Sequence, residues 1–320
     1  MKVSSMALGV DVGGTNAKVA AISPGGQVFT HTSLPTQPER GPAAFVDDLC
    51  RLVDTWKKLH RFRVSAVGLG IAGDVDAEKG KLRYSPNLHG WEGFDFRRSL
   101  GRALRARVAV ANDANCAVWG GYLTELKKKP DHVIGVTLGT GVGGGLILSR
   151  RLFHGATGTA GEIGHITVQP GGEPCHCGSR GCLEAYAGSY GILRTARTLL
   201  ELRPAEGKIL RGLCSDLELL QPSHLTAAAQ EGDALAREAW AVTGRHLAVG
   251  LAGLVMVLNP DVLLLLGGVS RAGRWILDPV QEHFARQPFR VPFDRLELRL
   301  AENPDAGCIG AALLAAERGR

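Results

Sequence analysis

The sequence contains no apolar run long enough to cross a bilayer. The longest apolar stretch, Leu247 to Leu258, stops at Asn259, well short of the roughly 20 residues that a membrane-spanning helix needs. No export signal is recognisable, because Met1 to Met6 lead directly into a strand-like run. These absences predict a cytoplasmic protein with no membrane partner, in which the seven cysteines stay reduced.

The chain also lacks a concentrated basic patch. Its net charge of +6 is spread along the sequence, and the densest run is Lys127 to Lys129 beside Pro130. Three lysines next to a proline are typical of a solvated loop, so we expect no nucleic-acid partner.

Glycine, by contrast, is abundant, with 43 of 320 residues, many of them in clusters. Clustered glycines are expected where the backbone must approach a ligand closely. The composition is otherwise that of an ordinary globular protein, with 45% hydrophobic and 21% charged residues, and the length suits about two domains.

A glycine-tipped hairpin opens the sequence. Ala7 to Val10 and Lys18 to Ile22 are predicted strands, and Gly13 to Thr15 lie in the turn between them. Turn glycines let successive backbone N–H groups converge on an anion, and threonine adds a hydroxyl. Asp11 is placed to hold Mg²⁺ directly or through water. The segment is not a Walker loop, because the G-x-x-x-x-G-K-[ST] spacing is missing.

The same pattern recurs 126 positions later (139 − 13). Val133 to Leu138 is a predicted strand, Gly139 to Gly145 a turn, and Leu146 to Leu148 the start of a second strand. One such turn could equally be a tight hairpin with no ligand. Two copies predict a pair of related α/β lobes, each with one phosphate-binding hairpin.

The remaining periodicity predicts helices and buried strands in alternation. The predicted helices are Ala43 to Leu59, Phe96 to Leu104, Ala114 to Leu126 and Gly307 to Glu317, and the chain is helical after Gly188. The predicted strands are Val64 to Ile71, Val108 to Ala111 and Val262 to Leu266. The apolar stretch before Asn259 is expected to be a buried helix.

A G-x-G-x-x-G run from Gly68 to Gly73 fits the dinucleotide-binding motif. That motif needs a helix after the glycines, whereas Asp74 to Gly80 is turn-like. We therefore expect a closely packed strand end at this point.

Asp113 directly follows a predicted buried strand, and the carboxyl ends of strands in α/β sheets open into ligand crevices. A carboxylate there could accept the proton of an alcohol as a phosphoryl group arrives. The neighbouring Asn112 can donate to and accept from hydroxyl groups. An alternative is that Asn112 and Asp113 only cap the following helix, and both roles could hold together.

Three cysteines, Cys175, Cys177 and Cys182, lie within eight residues, and His165 precedes the first by ten. Three thiolates and one imidazole form a closed tetrahedral set for structural Zn²⁺. His176 is an alternative fourth ligand, but both of its neighbours are already ligands. Unconnected thiols are the remaining alternative.

Taken together, these motifs resemble the ROK family of sugar kinases and repressors. The runs that carry the resemblance are Asp11 to Thr15, Leu138 to Gly145, Gly161 to His165, Cys175 to Glu184, and Gly267-Gly268 after a strand, which is similar to the family's adenosine loop. The match covers nearly the whole chain.

The resemblance implies an actin-like (ribonuclease H-like) two-lobed α/β fold with a cleft between the lobes. The expected smaller lobe is 1–116 plus 304–320, and the expected larger lobe, with the zinc site, is 117–303. The resemblance also implies ATP, Mg²⁺ and structural Zn²⁺ as cofactors, and a homodimer or homotetramer.

The same resemblance implies different roles for different site residues. Asp113 is the expected base. The expected sugar contacts are Asn87, Asn112, Asp113, Glu162, His165 and Glu184. The expected nucleotide and Mg²⁺ contacts are Asp11, Gly13, Gly14, Thr15, Lys18, Gly139, Thr140, Gly141, Gly143, Gly267 and Gly268.

Within the family, Ser85 to Leu88 followed by Gly90-Trp91 resembles bacterial glucokinases, which implies phosphorylation of glucose. N-acetylmannosamine kinases are similar over most of the signature, so another hexose or an N-acetylhexosamine is the alternative.

Two further alternatives explain less of the sequence. A repressor needs a DNA-binding domain, and only six residues precede the first strand. An ATPase without a sugar acceptor leaves the cysteine cluster without a role.

Overall fold

The computed structural model describes residues 4–317. Twelve strands lie in this part of the chain: β1 (Ser4–Val12), β2 (Asn16–Ile22), β3 (Val28–Pro35), β4 (Phe62–Ile71), β5 (Asp74–Asp76), β6 (Lys81–Tyr84), β7 (Arg107–Asn112), β8 (Val133–Leu138), β9 (Val142–Leu148), β10 (Arg151–Phe153), β11 (Val262–Leu266) and β12 (Glu297–Leu300).

The described residues also form eleven α-helices, with short 3₁₀ turns between some of them. The helices are α1 (Gly41–His60), α2 (Phe96–Leu104), α3 (Asp113–Thr124), α4 (Glu184–Ala187), α5 (Ser189–Leu202), α6 (Lys208–Leu213), α7 (Pro222–Gln230), α8 (Ala234–Leu258), α9 (Arg274–Ala285), α10 (Val291–Asp294) and α11 (Ala306–Glu317).

The two main sheets have the same topology. One has the order β3-β2-β1-β4-β7 and the other β10-β9-β8-β11-β12. In each sheet the first three strands pair antiparallel and the last two join in parallel. The repeat that the glycine turns indicated is therefore a repeat of a whole five-stranded sheet, and the prediction of two related α/β units is confirmed.

Separate hydrophobic cores cover the outer faces of the two sheets. On the first sheet, α1 and α2 bury Phe45, Leu49, Phe96 and Leu100 against the strands. On the second sheet, α5 to α9 form a larger core that includes Trp240. Among residues 4–317, α8 is the one helix long and apolar enough to cross a membrane, by length and composition alone.

The helices α3 and α11 pack on the other face of each sheet. Each of them packs on the sheet that does not contain the strand preceding it. Helix α3 follows the last strand of the first sheet but packs on the second, where it contacts Gly135 of β8. Helix α11 follows the last strand of the second sheet but packs on the first, where it contacts Gly9 of β1. These two glycines occupy equivalent positions in the repeat, because 135 − 9 equals the 126-residue offset.

The same two helices cross each other with their backbones in contact. A Cβ atom on Gly120 would overlap the carbonyl oxygen of Ala306, and one on Gly310 would overlap that of Cys116. Because Gly120 contacts Ala306 and Gly310 contacts Cys116, the two helices run antiparallel at the crossing.

Most predicted elements are present, with three corrections. Strand β9 begins at Val142, so the predicted turn to Gly145 was too long and Gly143 lies inside a strand. The segment after Gly73 forms the short β5–β6 hairpin instead of an open turn. In the predicted buried helix, which is the end of α8, Val257 is 80% exposed.

We propose that 1–116 with 304–320 form the smaller lobe and 117–303 the larger one. In support, the first sheet ends at Asn112, the second lies between Val133 and Leu300, and α11 packs on the first sheet. Residues 1–3 and 318–320 lie outside the described residues. The proposed boundary at 116/117 falls within α3.

The helix crossing gives a stability prediction. We expect Gly310→Ala to lower the free energy of unfolding by about 3 kcal/mol or more, because the new methyl group must displace backbone atoms of Cys116. Gly253→Ala in α8 is the matched control. A Cβ there has no neighbour within 4 Å, so this change should stabilise by up to about 1 kcal/mol. Urea unfolding measures both, and equal effects would contradict the tight crossing.

Candidate active site

The first glycine tip connects β1 to β2 and is closed by a single hydrogen bond, from the Gly13 N–H to the Asn16 carbonyl at 3.1 Å. Within the described residues, the N–H groups of Gly14 and Thr15 have no acceptor. Asn87 lies against this tip, since a Cβ on Gly14 would be 2.9 Å from the Asn87 Cβ. The tip therefore presents two unpaired donors beside an exposed amide side chain.

The second tip connects β8 to β9 and repeats this arrangement. The Gly139 N–H donates to the Gly141 carbonyl at 3.0 Å. The N–H groups of Thr140 and Gly141 have no acceptor in the part of the chain that is described. Gly267 packs on Leu138 at the base of this tip, so the loop after β11 adjoins the second pair of unpaired donors.

Asp11 and Lys18 face each other at the base of the first tip, as cross-strand partners of β1 and β2. The pKa of the Asp11 carboxyl is raised to about 6, mainly by burial and then by the negative charge of Asp113, while Lys18 partly opposes both. Lys18 also donates to the Pro304 carbonyl at 3.3 Å. Because Asp113 acts on Asp11 across space, the ends of β1 and β7 place two carboxylates in one electrostatic environment.

Asp113 is the first residue of α3, and Asn112 is its cap. The Asn112 Oδ1 accepts from the Asn115 N–H at 3.0 Å, while its Nδ2 donates to Asp113 Oδ1 and to the Gly73 carbonyl, both at 3.1 Å. Burial raises the pKa of Asp113, and hydrogen bonds from the backbone at the helix start partly offset this rise. The predicted helix cap is thus Asn112, whose amide also holds the carboxylate of Asp113.

More carboxylates lie near Asp113. Burial raises the pKa of Glu162, and the charges of Asp113, Asp74 and Glu184 add to the rise, whereas His165 lowers it. Asp74 was not predicted as a site residue. The signal that could have indicated it is its position next to Gly73, three residues after the end of β4.

The four predicted zinc ligands come together. One ligand atom from each of His165, Cys175, Cys177 and Cys182 lies within 4.8 Å of the others. The Cys177 and Cys182 sulfurs are 3.8 Å apart, which matches the edge of about 3.8 Å that a tetrahedron with Zn–S bonds of about 2.3 Å would have. The donor set and its spacing therefore fit structural Zn²⁺.

His176, the alternative ligand, is directed elsewhere. Its ring stacks on Tyr190 with centroids 4.1 Å apart, and it is outside the group of convergent ligand atoms. His165 presents Nδ1 to the Cys175 sulfur at 3.8 Å. Ligation through Nδ1 would leave Nε2 available for another partner.

Glu184 connects the cysteine cluster to the second tip. Its Oε2 accepts from the Val142 N–H at 3.0 Å, and its Oε1 is 3.7 Å from the Cys175 sulfur. A Cβ on Gly141 would overlap this carboxylate. The sequence placed Glu184 among the sugar contacts but gave no indication that it also supports the second tip.

The comparisons with known proteins agree with one another. The ROK family model matches residues 7–318. A glucokinase of Halalkalibacterium halodurans is 34% identical over 316 residues, which cover 96% of this chain and 94% of that protein. An N-acetylmannosamine kinase of Escherichia coli O157:H7 is 31% identical over 309 residues, covering 96% of this chain and 97% of that protein.

Among solved structures, a ROK family glucokinase from Streptomyces griseus in complex with glucose and AMPPNP superimposes with a TM-score of 0.85 at 33% identity. The superposition covers 98% of this chain and 99% of that one. The fold is therefore the actin-like two-lobed fold that the sequence predicted, and the chain belongs to the ROK family.

Proposed function

We propose that this protein is an ATP-dependent hexose kinase that converts glucose to glucose 6-phosphate. The observation that carries the proposal is the position of Asp113, a carboxylate at the start of α3 that interacts with Asp11 beside the first glycine tip. The names of the relatives support it, because a glucokinase and an N-acetylmannosamine kinase both phosphorylate sugars, and the solved glucokinase holds glucose and an ATP analogue.

The two glycine tips are proposed to bind the phosphates of ATP. A triphosphate needs several donors at short range, and each tip offers two backbone N–H groups without an acceptor among residues 4–317. Gly13, Gly14, Thr15 and Lys18 would serve one side and Gly139, Thr140 and Gly141 the other, with Gly267 and Gly268 nearer the nucleoside. Gly143 is better explained by packing, because a Cβ there would lie 2.6 Å from that of Ala114.

Asp11 is proposed to help hold Mg²⁺ with the bound ATP. Asp11 and Asp113 are two half-buried carboxylates, and Lys18 offsets only part of their effect on each other. The remaining negative charge suits a divalent cation. When bound, Mg²⁺ would neutralise charge on the phosphates during transfer. Asp11 would orient it directly or through water.

Asp113 is proposed to be the general base. The sugar 6-hydroxyl attacks the γ-phosphorus, the bond from this phosphorus to the bridging oxygen of ADP breaks, and the hydroxyl proton passes to Asp113. Its raised pKa makes it a better proton acceptor than an ordinary aspartate. The hydrogen bond from Asn112 orients the carboxylate.

The sugar is proposed to bind among Asn87, Asn112, Asp113, Glu162, His165 and Glu184. Carboxylates accept from sugar hydroxyls, and the free Nε2 of His165 would reach one as well. Zinc at His165, Cys175, Cys177 and Cys182 would fix that imidazole. The His165 side chain would then lose little conformational entropy when the sugar binds. Closure of the lobes would exclude water as a competing acceptor.

The alternative is a kinase for N-acetylmannosamine, N-acetylglucosamine or another hexose, which the 31% identity to an N-acetylmannosamine kinase favours. A cytoplasmic location, a role in glycolysis, a homodimer or homotetramer, and the absence of nucleic-acid and membrane partners remain predictions from the sequence.

The sugar specificity is testable with a coupled assay of ATP consumption over glucose, mannose, fructose, N-acetylmannosamine and N-acetylglucosamine. We expect the highest kcat/KM with glucose. A higher kcat/KM with an N-acetylhexosamine would show that glucose is not the preferred substrate. ATP consumption independent of every sugar would refute the kinase function.

The role of Asp113 is testable by Asp113→Asn, which keeps the shape of the side chain but removes its basicity. We expect kcat to fall by at least about 100-fold, while the Kd for glucose in calorimetry changes little. Asp54→Asn is the control, because this exposed aspartate forms an ion pair with Lys57 on the surface of α1. Near-normal turnover of Asp113→Asn would remove it from the role of base.

The metal site is testable by elemental analysis. We expect about one zinc per chain in the purified protein, loss of that zinc in Cys177→Ser, and a higher KM for glucose in this variant because His165 loses its fixed orientation. Cys50→Ser in α1 is the control and should keep the metal. Wild-type protein without zinc, or full zinc content in Cys177→Ser, would refute the assignment.

A further inference from the structure

Three buried or half-buried hydroxyl groups make the same contact at three different glycine loops. Thr36 Oγ1 donates to the Gly13 carbonyl at 2.8 Å, Ser189 Oγ donates to the Gly139 carbonyl at 2.7 Å, and Ser270 Oγ donates to the Gly267 carbonyl at 2.7 Å. The first two contacts join residues 23 and 50 positions apart, so they are not local turn motifs. None of the three hydroxyl residues belongs to the sequence motifs that carry the family resemblance.

Each bonded carbonyl shares a peptide unit with an N–H group that has no acceptor within residues 4–317. The carbonyl of Gly13 belongs to the same peptide as the N–H of Gly14, that of Gly139 to the N–H of Thr140, and that of Gly267 to the N–H of Gly268. All described peptides are trans. Since a trans peptide is planar, its C=O and N–H point in opposite directions. Fixing the carbonyl on one side therefore directs the N–H to the other.

Such fixation matters because these peptide units adjoin glycine, which has access to many backbone conformations. A flipped peptide would present the carbonyl oxygen, with its partial negative charge, where the N–H now lies. For an anionic ligand, that flip replaces a donor with a repulsive group. A hydroxyl that holds the carbonyl from behind removes this alternative before the ligand arrives.

The supports of the two tips are independent and firmly placed. Thr36 follows the end of β3, is 2% exposed, and also donates its backbone N–H to the Thr15 carbonyl at 2.9 Å. Ser189 is the first residue of α5 and donates both its hydroxyl and its backbone N–H to the Gly139 carbonyl, at 2.7 and 3.0 Å. Each tip is thus held by a residue that belongs to the same half of the repeat as the tip itself.

We propose that Thr36 and Ser189 are positioning residues for the phosphates of ATP: by holding the Gly13 and Gly139 carbonyls, they aim the Gly14 and Thr140 N–H groups at the nucleotide. Ser270 does the same for the Gly268 N–H in the third loop. This assignment rests on the proposed kinase function for the identity of the anion, and it adds residues that are not among the proposed contacts of ATP and sugar.

The test uses Thr36→Val and Ser189→Ala in the full-length protein. Each variant removes one hydroxyl and keeps the backbone contacts, so we expect the KM for ATP to rise roughly five- to tenfold while the KM for glucose stays within about twofold. The double variant should show the product of the two effects, because the two peptides are separate. Thr36→Ser and Ser189→Thr retain a hydroxyl and should restore the KM for ATP.

Ser65→Ala is the matched control. Its hydroxyl donates to the Met6 carbonyl at 3.1 Å in a similarly half-buried setting, but at the opposite end of β1, about 20 Å from the tip. It should affect thermal stability as the test variants do and leave both KM values unchanged. Effects of Thr36→Val and Ser189→Ala no larger than those of Ser65→Ala, or equal rises in both KM values, would overturn the assignment.

Calorimetric titration with ATP in the absence of sugar separates this assignment from the proposed function. If the wild-type protein binds ATP but phosphorylates no sugar, the kinase function fails, and the positioning role is judged by whether the two variants weaken ATP binding. If the wild type is an active kinase and the variants bind ATP normally, only the positioning role fails.

Discussion

The fold depends on the backbone contact between α3 and α11 at Gly120 and Gly310. Each helix continues from the last strand of one sheet and packs on the other, so the crossing joins two sheets that otherwise have separate cores. Both helices begin near an acidic side chain of the site. Asp113 starts α3, and Gly307 near the start of α11 lies against the Asp11 carboxylate. Each of the two central carboxylates is thus adjacent to one of the crossing helices.

Bringing carboxylates together in this way costs stability. The pKa of Asp11 is about 6 in the folded chain, against an ordinary value of 3.8, with burial as the main cause and the charge of Asp113 next. A raised pKa in the folded state means that ionisation of Asp11 opposes folding. The contribution of protonated Asp11 to the free energy of unfolding is fully present below about pH 4 and is lost as the pH rises through 6. Positive charge brought in with the substrate would relieve this cost, which is the expected behaviour of a site built for ligand binding.

The sequence predicted the repeat because glycine turns and short apolar runs are local patterns, and it predicted the zinc set because cysteine spacing is specific. It did not predict β3. The half-buried side chains of this strand are Val28, Thr30, Thr32 and Leu34, and because two of the four are threonines, the alternation of apolar and polar residues is weak. Nor could it show that β9 starts at Val142, since strand glycines look like turn glycines until a packing helix is known. The supporting contacts of Thr36, Ser189 and Glu184 join distant segments and have no local signature.

The central claim is that one carboxylate removes the proton of a sugar hydroxyl while backbone N–H groups on two opposed hairpins bind the phosphates. A crystal structure of this protein with glucose and a non-hydrolysable ATP analogue tests it most directly. The account predicts the glucose 6-hydroxyl within hydrogen-bond distance of Asp113 and phosphate oxygens at the N–H groups of Gly14 and Thr140. A sugar bound away from Asp113, or phosphates that contact neither hairpin, would contradict it.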